Sequence, residues 1–184
     1  KKIKNLIVMK KQLLIIPFII FLLILSTFFY LLIIDRNPFE LPSNLLNKNV
    51  PSFKAKTLLK NENFVSSKEF GNEKILVNFF ASWCGPCRDE HVFVKRFSKE
   101  KGIRIIGINY KDSPSNAVEW LKNLGNPYSD IPVDKNGRIA IDWGVYGIPE
   151  TFVVNSKGVI KYRHVGPITK KIYKKISLLI EEIE

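Results

Sequence analysis

Cys84 and Cys87 are the chain's two cysteines, and they stand two residues apart in Trp83-Cys84-Gly85-Pro86-Cys87. Thiols at that spacing can close a small disulfide ring and open it again. A structural staple explains them poorly, because closing so short a loop removes little entropy from the unfolded chain. A zinc site needs four ligands, and the sequence adds only two histidines to the pair. The pair therefore reads as redox-active. A thiolate attacks a partner's disulfide, a mixed disulfide forms, and the second thiol resolves it.

The surroundings assign the roles. Ile75 to Ala81 is a nearly continuous apolar run, as expected of a strand buried on both faces. Gly85 or Pro86 then opens a helix running to about Lys99, with Phe93, Val94 and Phe97 on one side and Gly102 as its stop. A helix N-terminus favours an anion, so Cys84 is expected to be the exposed attacker, its pKa lowered from ~8.5 toward ~7. Cys87, one turn in, suits the resolving role. Gly85 and Pro86 shape the turn. Trp83 has two readings, a flat wall beside the active sulfur or a core side chain. Ile148-Pro149 precedes a strand and is either a cis bond facing the disulfide or an ordinary trans turn.

The elements that must hold this site run in order along the chain. Phe53–Leu59 and Phe64–Phe70 read as a short hairpin or as two edge pieces, with Lys60–Asn63 the turn between them. Ile103–Tyr110 is a second buried strand. Asp112-Ser113-Pro114 caps a helix whose stripe is Ala117, Trp120, Leu121 and Leu124. A short strand at Ile131–Val133 and a brief helix at Arg138–Trp143 come next. Thr151–Val154 and Val159–Val165 make a hairpin across Asn155-Ser156-Lys157-Gly158, and Thr169 starts the last helix. Helix-linked strands imply parallel pairing and the hairpin an antiparallel edge, so the sheet is mixed.

Upstream lies a different kind of segment. Leu13 to Ile34 is 22 residues without a charge, ~33 Å as a helix, and Pro17 falls in its first turn or two. Lys1, Lys2, Lys4, Lys10 and Lys11 precede it with no acid among them, which keeps the N-terminus in the cytoplasm and exports the chain beyond Asp35. The length and the lack of an Ala-x-Ala site favour an uncleaved signal anchor over a cleaved peptide. Met9, followed by Lys10-Lys11-Gln12, reads as a natural start. The expected organisation is a basic cytoplasmic segment at 1–12, an anchor at 13–34, a linker at 35–49 and one domain at 50–184. Without the five anchor lysines, 24 basic residues face 17 acids, a balance near +7. The lysines are scattered, with no basic helix face or aromatic platform, so nucleic acid is not an expected partner.

The sequence resembles the membrane-tethered thiol:disulfide interchange proteins of cytochrome c biogenesis (the CcmG/DsbE type), a thioredoxin-like branch. The likeness rests on Asn78 to Cys84 with Cys87-Arg88-Asp89-Glu90-His91, on Gly107 to Asp112, on Gly125-Asn126-Pro127-Tyr128, and most specifically on Gly144 to Phe152. It implies a thioredoxin-like α/β fold, a bacterial inner-membrane anchor and a periplasmic domain. It further implies a reductant of apocytochrome c or of biogenesis thiol proteins, fed by a membrane thiol-reductant transporter. No cofactor or metal is implied. Pro149 would be a cis-proline, with Glu90 and Glu150 as acids near the thiols. Asn78 stands where thioredoxins carry a buried Asp, which shifts proton handling to Glu90 or Glu150. The alternatives are a general periplasmic disulfide reductase or oxidase, and a metal or haem chaperone without turnover.

Overall fold

The computed structural model describes residues 2–33, 45–59 and 63–183. Two units result, residues 1–38 and 39–184.

The first unit is one helix, α1 (Lys2–Ile33). It begins well before the apolar run, so Pro17 sits inside it rather than in its opening turns, at the cost of one helical hydrogen bond. Large apolar side chains from Ile15 to Leu31 are exposed. The expected anchor ends on Ile34, outside the described residues. Among the described residues no helix is long and apolar enough to cross a membrane.

The second unit is a five-stranded sheet in the order β5-β4-β3-β6-β7. Its strands are β3 (Ile75–Phe80), β4 (Arg104–Tyr110), β5 (Val133–Asp134), β6 (Glu150–Val154) and β7 (Ile160–Val165). β3, β4 and β5 run parallel; β6 runs antiparallel to β3, and β7 antiparallel to β6. β3 is buried at every position, which explains its unbroken apolar character. The lead-in hairpin, β1 (Lys54–Lys56) with β2 (Phe64–Ser66), forms a separate small sheet. Its turn, at 60–62, lies outside the described residues.

Alternation along the strands divides the core in two. Leu76 and Phe80 face one cluster with α2 (Gly85–Lys101), α3 (Pro114–Leu124) and α5 (Lys170–Glu182). Val77, Phe79 and Phe152 face the other, closed by α4 (Arg138–Asp142), Phe70 and Trp143. Gly102 ends α2 at φ 60°, a left-handed position where glycine is unstrained. At Gly107 an added Cβ would lie 2.7 Å from the Tyr128 ring, so β4 and that ring approach closely only because the side chain is missing.

Several expected boundaries move. The piece Phe53–Leu59 pairs as a strand only over Lys54–Lys56, and Phe64–Phe70 is strand only to Ser66, with a 3-10 turn over Ser67–Phe70 that Ser66 caps. The fold begins before Val50: Asn47 N–H donates to the Ile160 carbonyl (2.8 Å) and Val50 N–H to that of Gly158 (2.9 Å), adding a partner to β7. The short strand at Ile131–Val133 forms at Val133–Asp134: Pro132 has no N–H to give a ladder, although its carbonyl accepts from the Asn109 N–H (3.0 Å) and it bridges to Thr57.

Candidate active site

β3 delivers the chain to a turn at Ser82-Trp83, and Cys84 is the N-cap of α2. Cys84 and Cys87 are joined as a disulfide, Cα to Cα 5.3 Å. The Cys87 N–H donates to Cys84 Sγ at 3.1 Å, so an unpaired donor of the first helical turn is aimed at that sulfur. On reduction the same N–H, with the partial positive charge of the helix end, stabilises a thiolate at Cys84. Cys84 is only 5% exposed, against the expectation of an exposed attacker; Cys87 is deeper at 2%. The cover comes from the loop opposite, whose Ile148 carbonyl oxygen lies 3.7 Å from Cys84 Sγ. Gly85 and Pro86 are exposed between the two sulfurs.

Trp83 is 60% exposed, which fits the wall and not the core side chain. Its indole N–H donates to the Lys111 carbonyl (3.1 Å). Next to it, the Asp112 carboxylate accepts from the Ser82 N–H (2.6 Å) and hydroxyl (2.7 Å), from Asn109 Nδ2 (3.0 Å) and from the Ser113 N–H (2.8 Å). Asp112, expected as a helix cap, thus braces the turn that presents Cys84. The signal was available: parallel β3 and β4 end side by side, Phe80 opposite Asn109, so residues just past β4 meet residues just past β3.

Beneath the disulfide lies a buried polar network. Cys87, Glu90, His91, Val94 and Phe97 form the buried face of α2, with Glu90 one turn beyond Cys87. Glu90 accepts from Asn78 Nδ2 (2.8 Å) and from the Ile168 N–H (2.8 Å). Asn78 Nδ2 also donates to Thr151 Oγ1 (3.0 Å), and the Tyr128 hydroxyl donates to Asn78 Oδ1 (2.8 Å). Glu90, at 1% exposure, has its pKa pushed up to about 7 by burial, against the opposing pull of the hydrogen bonds from Ile168 and Asn78. Burial and the nearby Glu90 charge raise the Tyr128 hydroxyl well above its ordinary value. A buried carboxyl with a pKa near neutrality can take or give a proton beside a thiol. Tyr128 was not anticipated as a member; its place in Gly125-Asn126-Pro127-Tyr128 was the available sign.

Ile148-Pro149 is a cis peptide bond, and Pro149 is buried at the start of β6. Glu150 requires a correction. It pairs with Phe79 across the ladder and so faces the second cluster, away from the network of Asn78 and Thr151. It is fully buried and forms an ion pair with Arg163 (2.7 Å) while accepting from the Tyr146 N–H (2.9 Å). Its carboxylate organises the loop before Pro149 and is not a proton carrier next to the sulfurs. The histidines are structural: His91 Nε2 meets the Gly125 carbonyl (2.8 Å) and His164 Nε2 that of Pro167 (3.2 Å). Among the described residues no cluster of three or more His, Cys, Asp or Glu could hold a metal ion.

The model of the Redoxin family matches residues 45–177. A thiol:disulfide interchange protein DsbE from Tatumella citrea is 42% identical over 75% of this chain and 75% of its own. A thiol:disulfide interchange protein CycY from Rhizobium leguminosarum bv. viciae is 44% identical over 73% of this chain and 72% of its own. Among solved structures, a thiol:disulfide interchange protein of the thioredoxin family from Chlorobium tepidum TLS superposes with a TM-score of 0.60 at 26% identity, covering 72% of this chain and 94% of that one.

Proposed function

We propose, from the premise that the chain belongs to the Redoxin family and within it to the DsbE and CycY thiol:disulfide interchange proteins, that it is a reductant in cytochrome c maturation. Its thioredoxin-like fold and its Cys84–Cys87 disulfide make it a protein thiol:disulfide oxidoreductase. The finer reading is that it reduces disulfides of apocytochrome c, or of partner thiol proteins that serve haem attachment.

In the dithiol form Cys84 is the thiolate, held by the Cys87 N–H at the start of α2. It attacks one sulfur of the client disulfide; the client's S–S bond breaks and its other sulfur leaves as a thiolate. A Cys84–client disulfide results. Cys87 then loses its thiol proton to the Glu90 carboxylate and attacks Cys84 Sγ. The Cys84–Cys87 bond forms, the client's second thiolate departs, and two electrons have passed to the client. A pKa near 7 lets Glu90 accept that proton and later release it without a large cost in either direction. The backbone at Ile148-Pro149, beside Cys84 Sγ and just before β6, offers the client an edge for strand-like docking.

The electron donor in this reading is a membrane thiol-reductant transporter. The chain is tethered to a bacterial inner membrane by a single pass, with its N-terminus in the cytoplasm and its domain in the periplasm. The supports are the uncharged run Leu13–Ile34, the five preceding lysines and the exposed apolar side chains of α1. A general periplasmic reductase or oxidase would share the same site; equilibration with glutathione separates an oxidant near ~−120 mV from a reductant toward ~−270 mV.

The observation that carries the proposal is the Cys84–Cys87 disulfide at a helix N-terminus above the buried Glu90. The decisive experiment is trapping. Cys87→Ala stops the cycle at the mixed disulfide, and mass spectrometry of species released by dithiothreitol identifies the client. An apocytochrome or a haem-handling thiol protein is expected. Recovery of unrelated secreted proteins alone would overturn the cytochrome assignment.

A further inference from the structure

Arg163 lies on β7, opposite Phe152 in the ladder, with a side chain only 4% exposed. Its Nε donates to Glu150 Oε2 (2.7 Å) and its Nη2 to the Gly144 carbonyl (2.9 Å). The guanidinium also stands over the Tyr146 ring, 5.1 Å from its centroid. Glu150 in turn uses its other oxygen to accept from the Tyr146 N–H (2.9 Å) and, at longer range, from the Gly147 N–H (3.5 Å). One planar fork therefore ties both ends of the loop from Gly144 to Glu150. That loop carries Ile148, whose carbonyl lies 3.7 Å from Cys84 Sγ, and Tyr146, which is 76% exposed. Among the described residues the Ile148 N–H has no hydrogen-bond partner, and the Ile148 carbonyl has only the Cys84 sulfur beside it, so the backbone of Ile148 has bonding capacity left for a client.

Packing does not demand a charge pair here. A buried ion pair is often replaceable by apolar side chains without loss of stability. What an apolar pair cannot do is hold a carboxylate and a carbonyl at once from a rigid fork. Lysine carries the charge but presents it as a compact ammonium at the end of a flexible stem.

We propose that Arg163 is a positioning residue for client docking: through Glu150 and the Gly144 carbonyl, from the sheet face turned away from the disulfide, it fixes the loop that presents Ile148 to a peptide disulfide. The inference rests on the reading of the chain as a disulfide reductant. A docking edge displaced by about 1 Å costs up to two orders of magnitude in rate, and it does so only for substrates that use the edge.

The test compares two oxidised substrates for the reduced full chain in mild detergent: glutathione disulfide, too small to lie along the loop, and a peptide with one intramolecular disulfide. Arg163→Met and Arg163→Lys are measured beside the wild type, with rates followed as peptide concentration is raised. Relative to the glutathione disulfide rate, the peptide rate falls on the order of tenfold in Arg163→Met and about threefold in Arg163→Lys. The loss appears as a higher half-saturating peptide concentration more than as a lower limiting rate. A ratio within twofold of wild type in folded Arg163→Met, or in Arg163→Lys should the first variant not fold, overturns the proposal. A wild type that reduces neither substrate instead removes the reductant reading on which it rests.

Discussion

Glu90→Gln should gain stability relative to the wild type as pH rises from acid to neutral and alkaline values. The Glu90 pKa rises from 4.5 to about 7 on folding, chiefly through burial. Each pKa unit is worth about 1.4 kcal/mol, so the ionised carboxylate costs the fold about 3 kcal/mol. The sign comes from the protons bound. Between pH 4.5 and 7 the folded state holds more protons on this group than the unfolded state does, so stability falls as pH rises through that window. Below it both states are protonated and the penalty vanishes; above it the full penalty applies. Glutamine removes the charge and keeps the shape. Its carboxamide can accept from the Ile168 N–H only if its NH2 faces Asn78, which now presents Nδ2. An amide flip of Asn78 solves this. The Asn78 oxygen then meets the NH2 of the introduced carboxamide and the Thr151 hydroxyl, and the Asn78 NH2 meets the Tyr128 hydroxyl oxygen; both hydroxyls can donate or accept. The Tyr128 O–H then loses the acceptor it has in the wild type, a cost that is the same at every pH in this range, so the charge effect is read from how the difference changes with pH. Urea unfolding of the oxidised full chain and of the variant, well below and well above that window, measures the effect. From the lower pH to the higher, the difference is expected to shift by on the order of 3 kcal/mol in favour of the variant. A difference independent of pH, or one that grows against the variant as pH rises, would refute the charge-burial reasoning.

Asp112→Ala leaves the part-buried Ser82 N–H without its acceptor and should lower the unfolding free energy by about 1–3 kcal/mol in a urea titration; a loss under about 0.5 kcal/mol contradicts the brace. Gly107→Ala places a methyl group 2.7 Å from the Tyr128 ring and 2.9 Å from that of Phe80, and overpacking of this kind costs about 1–3 kcal/mol in the same assay. An unchanged midpoint would mean that the ring stack moves freely, which the Tyr128–Asn78 hydrogen bond argues against.

What the sequence disclosed was what depends on neighbours in the chain. The cysteine pair, the strand before it and the helix after it lie within one supersecondary unit, and helical spacing alone puts Glu90 one turn beyond Cys87. The cis state of Ile148-Pro149 rested on resemblance, since the residues themselves fit either isomer. Glu150 was misjudged because its face depends on ladder register: pairing with Phe79 turns it from the sulfurs, and a slip of one residue would have reversed that. Asp112 and Arg163 escaped for a related reason. Their partners, Ser82 and Glu150, lie 30 and 13 residues away, and only the adjacency of strand ends or strands joins them. The burial of Cys84 depends on the loop before Pro149, which no local pattern at Cys84 announces. The apolar run alone puts Pro17 near a helix start, whereas the backbone is helical from Lys2, because the residues before the run extend the helix.

Disulfide exchange here depends on Cys84 being the sulfur that ionises and attacks. The direct measurement is alkylation of the fully reduced chain with iodoacetamide as pH is raised, each cysteine followed by peptide mass spectrometry. Cys84 should react first, with an apparent pKa below that of a free thiol at ~8.5, while Cys87 stays protected in the folded protein. Equal labelling of the two, or a Cys84 that resists alkylation until the chain is unfolded, would contradict the mechanism.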